Sequence, residues 1–392
     1  MKLVFISSGQ YPNGGAATNR HLAYSKGLIE LGHDVEFILL NKQQWQENVF
    51  CFSGIKFTCV KVIASDKSSK ITKIRFHFRT LRRAKNLLNE INKIKKVSAL
   101  ILLDTSISVL IPLINFSKKI GVSVFHERTE YPFVVGGRSA LGKIDLTIYL
   151  RYIVKRFNGI YVINNALKKY FSLLTDAEIG VVNMIVDPSR FEGIPDKPFN
   201  EKKCITYCGT LDDKKDGVHI LIRSFALIAN DFPSIMLQLI ASLDDGLAKR
   251  RADLLIKKLK IENRVVFTGF IERDDVPKFH KKADILVLAR PNNKQAEGGF
   301  PTKLGEYLAS GVPVVVTNVG EISLFLKDGV NAFVSEPDSI EKFSEKLREV
   351  LLNQNIEQVG HEGRKLTYNE FNYLSQARKI EKLISNNIII QS

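Results

Sequence analysis

The chain has 392 residues, with 57 Lys and Arg against 41 Asp and Glu for a net charge of +16, and its side chains are 45% hydrophobic and 25% charged. That length exceeds one ordinary core and sets two domains as the expectation, and the composition excludes a disordered chain. No run approaches the roughly 20 apolar residues needed to span a bilayer, and the opening MKLVFISSGQYP is too short in its apolar part for a secretory leader, so a cytoplasmic, non-integral protein is expected.

Buried strands and helices alternate along the chain. KLVFIS (2–7) reads as a strand, followed by a glycine-bearing loop, a helix at about 16–31 that stops at Gly32, and the strand VEFILL (35–40). Further strands are expected at KFTCVKVI (56–63), ALILLD (99–104), VSVFHE (122–127), IYVIN (160–164) and IGVVN (179–183). VDPSRFEGIPDKPFN (186–200) holds three prolines and no period, so it reads as a linker. The pattern then restarts: CITYCGT (204–210), a helix near 217–230, IMLQLIA (235–241), a helix near 247–260, VVFTG (265–269) and DILVLA (284–289). Such alternation implies two doubly wound α/β domains with parallel sheets, whose ligands sit at the carboxyl ends of the strands, in the cleft between the domains.

Cysteine usage makes no disulfide framework. Cys204 and Cys208 on one strand stand about 13 Å apart, beyond the roughly 7 Å limit for a bridge, and with Cys51 and Cys59 they are expected as reduced thiols.

The positive charge is concentrated in residues 67–96, which carry eleven Lys or Arg against Glu90. Ile71, Ile74, Phe78, Leu81, Ala84, Leu88 and Ile91 recur there at helical spacing, on one stripe. A basic amphipathic helix binds anionic lipid headgroups, or forms the solvated face of a helix packed on its own domain. No aromatic platform or reader motif accompanies the charge, which argues against nucleic acid.

The densest punctuation is EGGFPTKLGEYLASGVPVV (297–315). Gly298 and Gly299 permit close backbone approach and positive φ, and Pro301 suits a first helical position. The helix at about 302–310 then presents unpaired N–H groups, a phosphate-binding arrangement. Glu306, about one turn inside, can accept two hydrogen bonds from a vicinal diol such as a ribose. On spacing alone, a helix stop with a solvent-facing Glu competes with that reading.

This stretch resembles the signature of glycosyltransferase family 4, the retaining GT-B enzymes of glycosyltransferase group 1: a Glu, seven residues, a second Glu, and a small-residue helix end before Pro-Val-Val. Other pieces fall in that family's order: Gly14-Gly15, GHDVEFI from Gly32, NMIVDPSRF (183–191), YCGTLDDKKDG (207–217), VVFTGFI (265–271) and FNYLSQARKIEKLI (371–384). The resemblance implies two Rossmann-like domains facing each other across a cleft. Residues 1–185 would bind acceptor, with a helix at about 370–388 packing back on them; 186–200 would link, and 201–369 would bind a nucleotide sugar.

The resemblance also implies roles. Glu306 would hold the ribose hydroxyls of a nucleoside diphosphate sugar. The position eight residues earlier, where the family's first Glu contacts the transferred sugar, is Gly298, so either the loop shifts Glu297 into place or the amides from Gly298 to Phe300 meet the sugar. Thr210 stands where the family has an Arg or Lys for the diphosphate, Lys215 fits the second such cation, and Lys214 is its neighbour. Gly14, Gly15, Gly209, Gly269, Phe270, Gly299, Pro301, Thr302 and Lys303 would complete the donor cradle. His126 resembles the family's His near the reacting sugar, with Glu127 beside it.

The implied chemistry moves a sugar from a nucleoside diphosphate donor to a hydroxyl of a glycan or lipid-linked acceptor with retained anomeric configuration, in polysaccharide or glycolipid synthesis. The leaving phosphate takes the acceptor's proton, so no protein nucleophile is required. Neither cofactor nor metal is expected: the chain contains no Asp-x-Asp, and Asp212-Asp213, Asp244-Asp245 and Asp274-Asp275 read as turn and cap residues. The basic segment would place the enzyme peripherally at the inner membrane face. Two rivals stand beside this reading: a nucleotide-sugar epimerase of GT-B fold, and a non-catalytic basic scaffold on membrane or nucleic acid, favoured by Thr210 and Gly298.

Overall fold

A computed structural model describes residues 1–41, 47–62, 69–135, 139–195, 197, 203–242 and 246–388. Ile63, Lys67, Asp196, residues 198–200, Asp244 and Asp245, all named above, lie outside the described residues. The chain divides into two compact units, one made of Met1–Asn183 with the segment that begins at Tyr373, the other of Met184–Asn372.

The first unit is built on an eight-stranded sheet. Its strands are β1 (Lys2–Ser7), β2 (Asp34–Leu39), β3 (Val49–Phe52), β4 (Ile55–Cys59), β5 (Ala99–Leu102), β6 (Ser123–Arg128), β7 (Gly159–Val162) and β8 (Glu178–Val181). They lie in the order β3-β4-β2-β1-β5-β6-β7-β8. All pair parallel except β3, which runs antiparallel to β4. Runs such as Leu3 to Ile6 are fully buried because helices cover both faces, which is why these strands read as continuous apolar stretches. Strand order reverses at β1 and β5, so the crevice where a doubly wound sheet takes its ligand opens at their carboxyl ends.

Two helices of this unit bear on the expectations above. Ala16–Glu30 packs against the last helix, Tyr373–Asn387, and Gly27 is the contact point: a Cβ there would stand 2.7 Å from Ala377 Cβ and 2.8 Å from the Tyr373 carbonyl. Lys70–Ile94, capped by Ser69, carries the basic segment. Its expected single stripe splits. Leu81, Ala84, Leu88 and Ile91 are buried, whereas Ile71, Ile74 and Phe78 are 66%, 56% and 61% exposed.

The second unit has six parallel strands, β9 (Cys204–Cys208), β10 (Met236–Ile240), β11 (Val265–Phe267), β12 (Ile285–Leu288), β13 (Val314–Thr317) and β14 (Phe333–Ser335). Their order is β11-β10-β9-β12-β13-β14, with the reversal at β9 and β12. All four cysteines are free thiols. Among the described residues no helix is long and apolar enough to cross a membrane.

Candidate active site

In the second unit the site grows from the chain that leaves β12. Asn293 caps a short helix, Lys294–Glu297, by accepting from Ala296 N–H, and the helix Thr302–Ser310 follows, closed by Gly311 at φ +77. Between them Phe300 is buried against the rings of Phe325 and Phe371, which pins the loop. Two expectations change here. Gly298 lies at φ −86 and Gly299 is not among the residues of positive φ, so neither glycine uses the left-handed freedom expected of it. Pro301 is the capping residue, with Thr302 as the first helical position.

The Thr302–Ser310 helix is fixed on two sides. Tyr307 hydroxyl accepts from Cys208 N–H at 2.7 Å and donates to the Cys208 carbonyl, tying the helix to the end of β9. Gly305 lets the segment after Met184 approach, because a Cβ would stand 3.1 Å from Met184 Sδ and 3.2 Å from Val186 Cβ. That approach brings a residue into the site that pattern reading had placed in a linker. Arg190, in the turn Pro188–Phe191, donates from Nη1 to Glu306 Oε1 at 2.6 Å and from Nη2 to the Arg273 carbonyl at 2.6 Å. Glu306 is therefore neither lone nor solvent-facing. Its other oxygen, Oε2, accepts nothing among the described residues, so one carboxylate oxygen is held and the other is open.

Lys303, one turn before Glu306, reaches across to the end of β9. Its ammonium pairs with Asp216 Oδ2 at 2.6 Å and donates to Tyr207 hydroxyl at 3.0 Å. Tyr207 hydroxyl in turn lies 2.9 Å from Asp216 Oδ2 and 2.5 Å from the Thr210 carbonyl. Burial pulls the Lys303 pKa below its usual value, with Asp216 working against that. Gly209, at φ +154, makes the approach feasible, because a Cβ would stand 2.1 Å from Lys303 Nζ. The turn that lacks a cation at Thr210 thus receives one from Lys303.

Lys214 and Lys215 sit on the short helix Asp213–Asp216, whose cap Asp212 accepts from both of their N–H groups, at 2.8 and 2.9 Å. Neither ammonium meets a carboxylate among the described residues. The Lys214 carbonyl accepts from Asn293 Nδ2 at 2.7 Å, which joins this turn to the helix carrying Glu297. Gly217 ends the turn at φ +67, where a Cβ would fall 1.9 Å from the Ala289 carbonyl oxygen. Glu297 is 43% exposed at its side chain and pairs with Lys294 at 2.6 Å. Gly269 takes φ +81 after β11, and Phe270 beside it is 73% exposed. Behind Tyr307 and Phe191 lies His280, fully buried, with no hydrogen-bond partner at either ring nitrogen among the described residues. Burial pulls its pKa down to about 4.

In the first unit Gly14 and Gly15 separate in role. A Cβ on Gly14 would fall 2.0 Å from Thr18 Oγ1 and 2.3 Å from the Gln10 carbonyl, so Gly14 lets the loop fold onto its own helix. Gly15 caps that helix with open space around it. Side chains alternate along β6. Glu127 points to one face, where it accepts from Arg20 Nε at 2.7 Å and from His21 Nε2 at 2.9 Å; Arg20 also donates to the carbonyls of Asn183 and Val182. His126 points to the other face and is wholly enclosed, stacked on Phe157 at 4.5 Å, with Nδ1 on the Leu102 carbonyl at 2.7 Å. Burial pulls its pKa to about 3. A ring so enclosed meets no substrate unless its aromatic shell opens. Arg190 and Arg20 were absent from the residues singled out by pattern. The signals for them were weak: an Asp-capped DPSR turn for the first, and a basic Arg-His pair on a helix otherwise free of charge in its first turn for the second.

Residues 190–370 match the family model described as Glycosyl transferases group 1. The capsular polysaccharide biosynthesis glycosyltransferase CapM of Staphylococcus aureus is 27% identical over 187 residues, 47% of this chain and 47% of that protein. The match spans about half the length of that relative and about a third of others. Sucrose-phosphate synthase from Thermosynechococcus elongatus superposes with a TM-score of 0.75 at 14% identity, covering 98% of each chain. Anabaena HepE, solved with UDP and glucose, gives 0.69 at 15% identity over 98% of this chain and 100% of that one. At such identities the likeness shows the fold, which is GT-B.

Proposed function

We propose, for a chain whose residues 190–370 belong to the group 1 glycosyl transferases, that it transfers a sugar from a nucleoside diphosphate sugar to a hydroxyl of a glycan or lipid-linked acceptor, with retention and without a metal. One observation carries the donor assignment. Glu306 has one oxygen fixed by Arg190 and the other open, a turn inside a helix whose second residue, Lys303, reaches Tyr207 and Asp216 beside the turn after β9. A carboxylate so held accepts from a ribose hydroxyl without losing rotamer freedom on binding, since Arg190 has already positioned it. Lys215, Lys214 and Lys303, with the helix N–H groups, would meet the diphosphate. In the transfer, the bond from the anomeric carbon to the leaving phosphate breaks, the bond to the acceptor oxygen forms on the same face, and the acceptor's proton passes to the phosphate. The residues' work is to stabilise charge on the leaving diphosphate. The exposed Ile71, Ile74 and Phe78 among basic residues support a peripheral position on an anionic membrane surface.

Titration of nucleoside diphosphates, beginning with UDP, tests the donor site. Glu306→Gln should weaken binding about 10- to 100-fold, the worth of one charge-assisted hydrogen bond, while a 2′,3′-dideoxy analogue should bind the variant and the wild type alike. Lys215→Ala should weaken both ligands. Wild-type binding by both variants would remove the assignment.

A further inference from the structure

Three buried polar groups on one face of β6 have no hydrogen-bond partner among the described residues, and the donor site uses none of them. They are Arg128 Nε, Tyr149 hydroxyl and His126 Nε2. Arg128 is 4% exposed, yet no carboxylate pairs with it among the described residues. Its guanidinium lies 5.5 Å from the centre of the Tyr149 ring and makes one long hydrogen bond, 3.4 Å, to the Glu130 carbonyl. Tyr149 is 3% exposed and its ring stands 5.8 Å from that of His126. On the opposite face of the same strand Glu127 has two cationic or imidazole partners, so the lack of a carboxylate at Arg128 is local.

Burying a guanidinium without an anion costs more than a cation–π contact returns. Arg128 closes β6, at the carboxyl edge of the sheet where a doubly wound unit takes ligand. The chain then passes to an aromatic group: Tyr131 stacks on Phe133 at 5.0 Å and meets Tyr170 edge-on at 5.2 Å, and Phe133 is 44% exposed. Flat rings beside a buried cation suit a sugar ring that carries a negative group, because the apolar face of a sugar packs on an aromatic surface while its charge needs a donor. The donor inventory agrees. Arg128 Nε–H and Tyr149 O–H are both donors, which is what an anionic group requires.

We propose that Arg128 and Tyr149, with the Tyr131–Phe133–Tyr170 group, form a subsite for an anionic saccharide, a sugar bearing a carboxylate or a phosphate. This rests on the acceptor reading of the first unit and names the acceptor's class.

The test uses the full-length protein with selectively 15N-arginine-labelled side chains, the Arg128 Nε–H signal being assigned by its loss in Arg128→Met. Glucuronate and glucose 6-phosphate are titrated at matched ionic strength, with glucose as the neutral control. Saturable movement of the Arg128 signal by at least one anionic sugar, and none by glucose, is expected; which sugar acts separates carboxylate from phosphate. Tyr149→Phe should weaken that binding about 3- to 10-fold. Without ligand, Arg128→Met should melt no lower than wild type, since an unpaired buried charge is removed. A lower melting temperature for Arg128→Met, or no response to either anionic sugar, overturns the subsite. Nucleoside diphosphate binding should be unchanged in Arg128→Met, so failure of the donor site and failure of this subsite appear in different titrations.

Discussion

Glu127→Gln probes how the first unit is held together. Burial pushes the Glu127 carboxyl up, but Arg20 and His21 outweigh it and leave the pKa at about 2 against the usual 4.5. At ~1.4 kcal/mol per pH unit that difference corresponds to about 3 kcal/mol of stability. The Gln side chain keeps the shape and leaves Arg20, 2% exposed, without its carboxylate. Removing one member of a buried pair costs about 3–5 kcal/mol, so two independent routes converge on about 3. The sign follows from a folded pKa below the unfolded one: the stabilisation is complete above pH 4.5 and is lost as pH falls towards 2. Urea unfolding followed by circular dichroism, from pH 7 down to pH 3, reads both effects. The gap between wild type and variant should be about 3 kcal/mol at pH 7 and shrink as pH drops below 4.5. A gap under about 1 kcal/mol at pH 7, or one that does not change with pH, refutes the reasoning.

Three further outcomes are expected. Gly217→Ala should destabilise the second unit by about 2–4 kcal/mol, combining left-handed strain with overlap on the Ala289 carbonyl; a loss under about 1 kcal/mol in urea unfolding would contradict it. His280→Phe should match or exceed wild-type stability at pH 7, because the imidazole lacks partners. Its folded pKa of about 4 lies below the usual 6.5, so wild type should lose about 3 kcal/mol relative to the variant as pH falls from 6.5 to 4, and parallel acid curves would refute this. The double variant Ile74→Ser, Phe78→Ser should lose about tenfold in retention on vesicles containing phosphatidylglycerol at low salt; equal retention, or no retention of the wild type, removes the membrane reading.

Most of the parallel strands were legible because burial on both faces writes them as unbroken apolar runs. β3 was not, since Val49 to Phe52 alternates exposed and half-buried positions at a sheet edge, and β14 has three residues, too few for a period. The basic helix was legible as a helix but not in its packing: periodicity finds an apolar stripe and cannot tell which part of it a neighbouring element covers, here Leu81 to Ile91 and not Ile71 to Phe78. The position of Glu306 could be read from its punctuation, whereas its partner could not, because Arg190 lies 116 residues away in a turn without repeat. Long-range polar pairing of this kind leaves no local pattern. The same holds for Lys303 and Asp216, and for Arg20 and Glu127.

The packing of Tyr373–Asn387 on the Ala16 helix also bears on how the protein is made. Ala377, Ile380, Leu383 and Ile384 are all buried in the first unit, so that unit's core is completed by residues synthesised after every strand of the second. During translation the usual N-terminal-first order is reversed at the last step. The second unit can close on itself while the Ala16–Glu30 helix still lacks the partner that packs at Gly27, and that face stays uncovered until Tyr373–Asn387 has been synthesised.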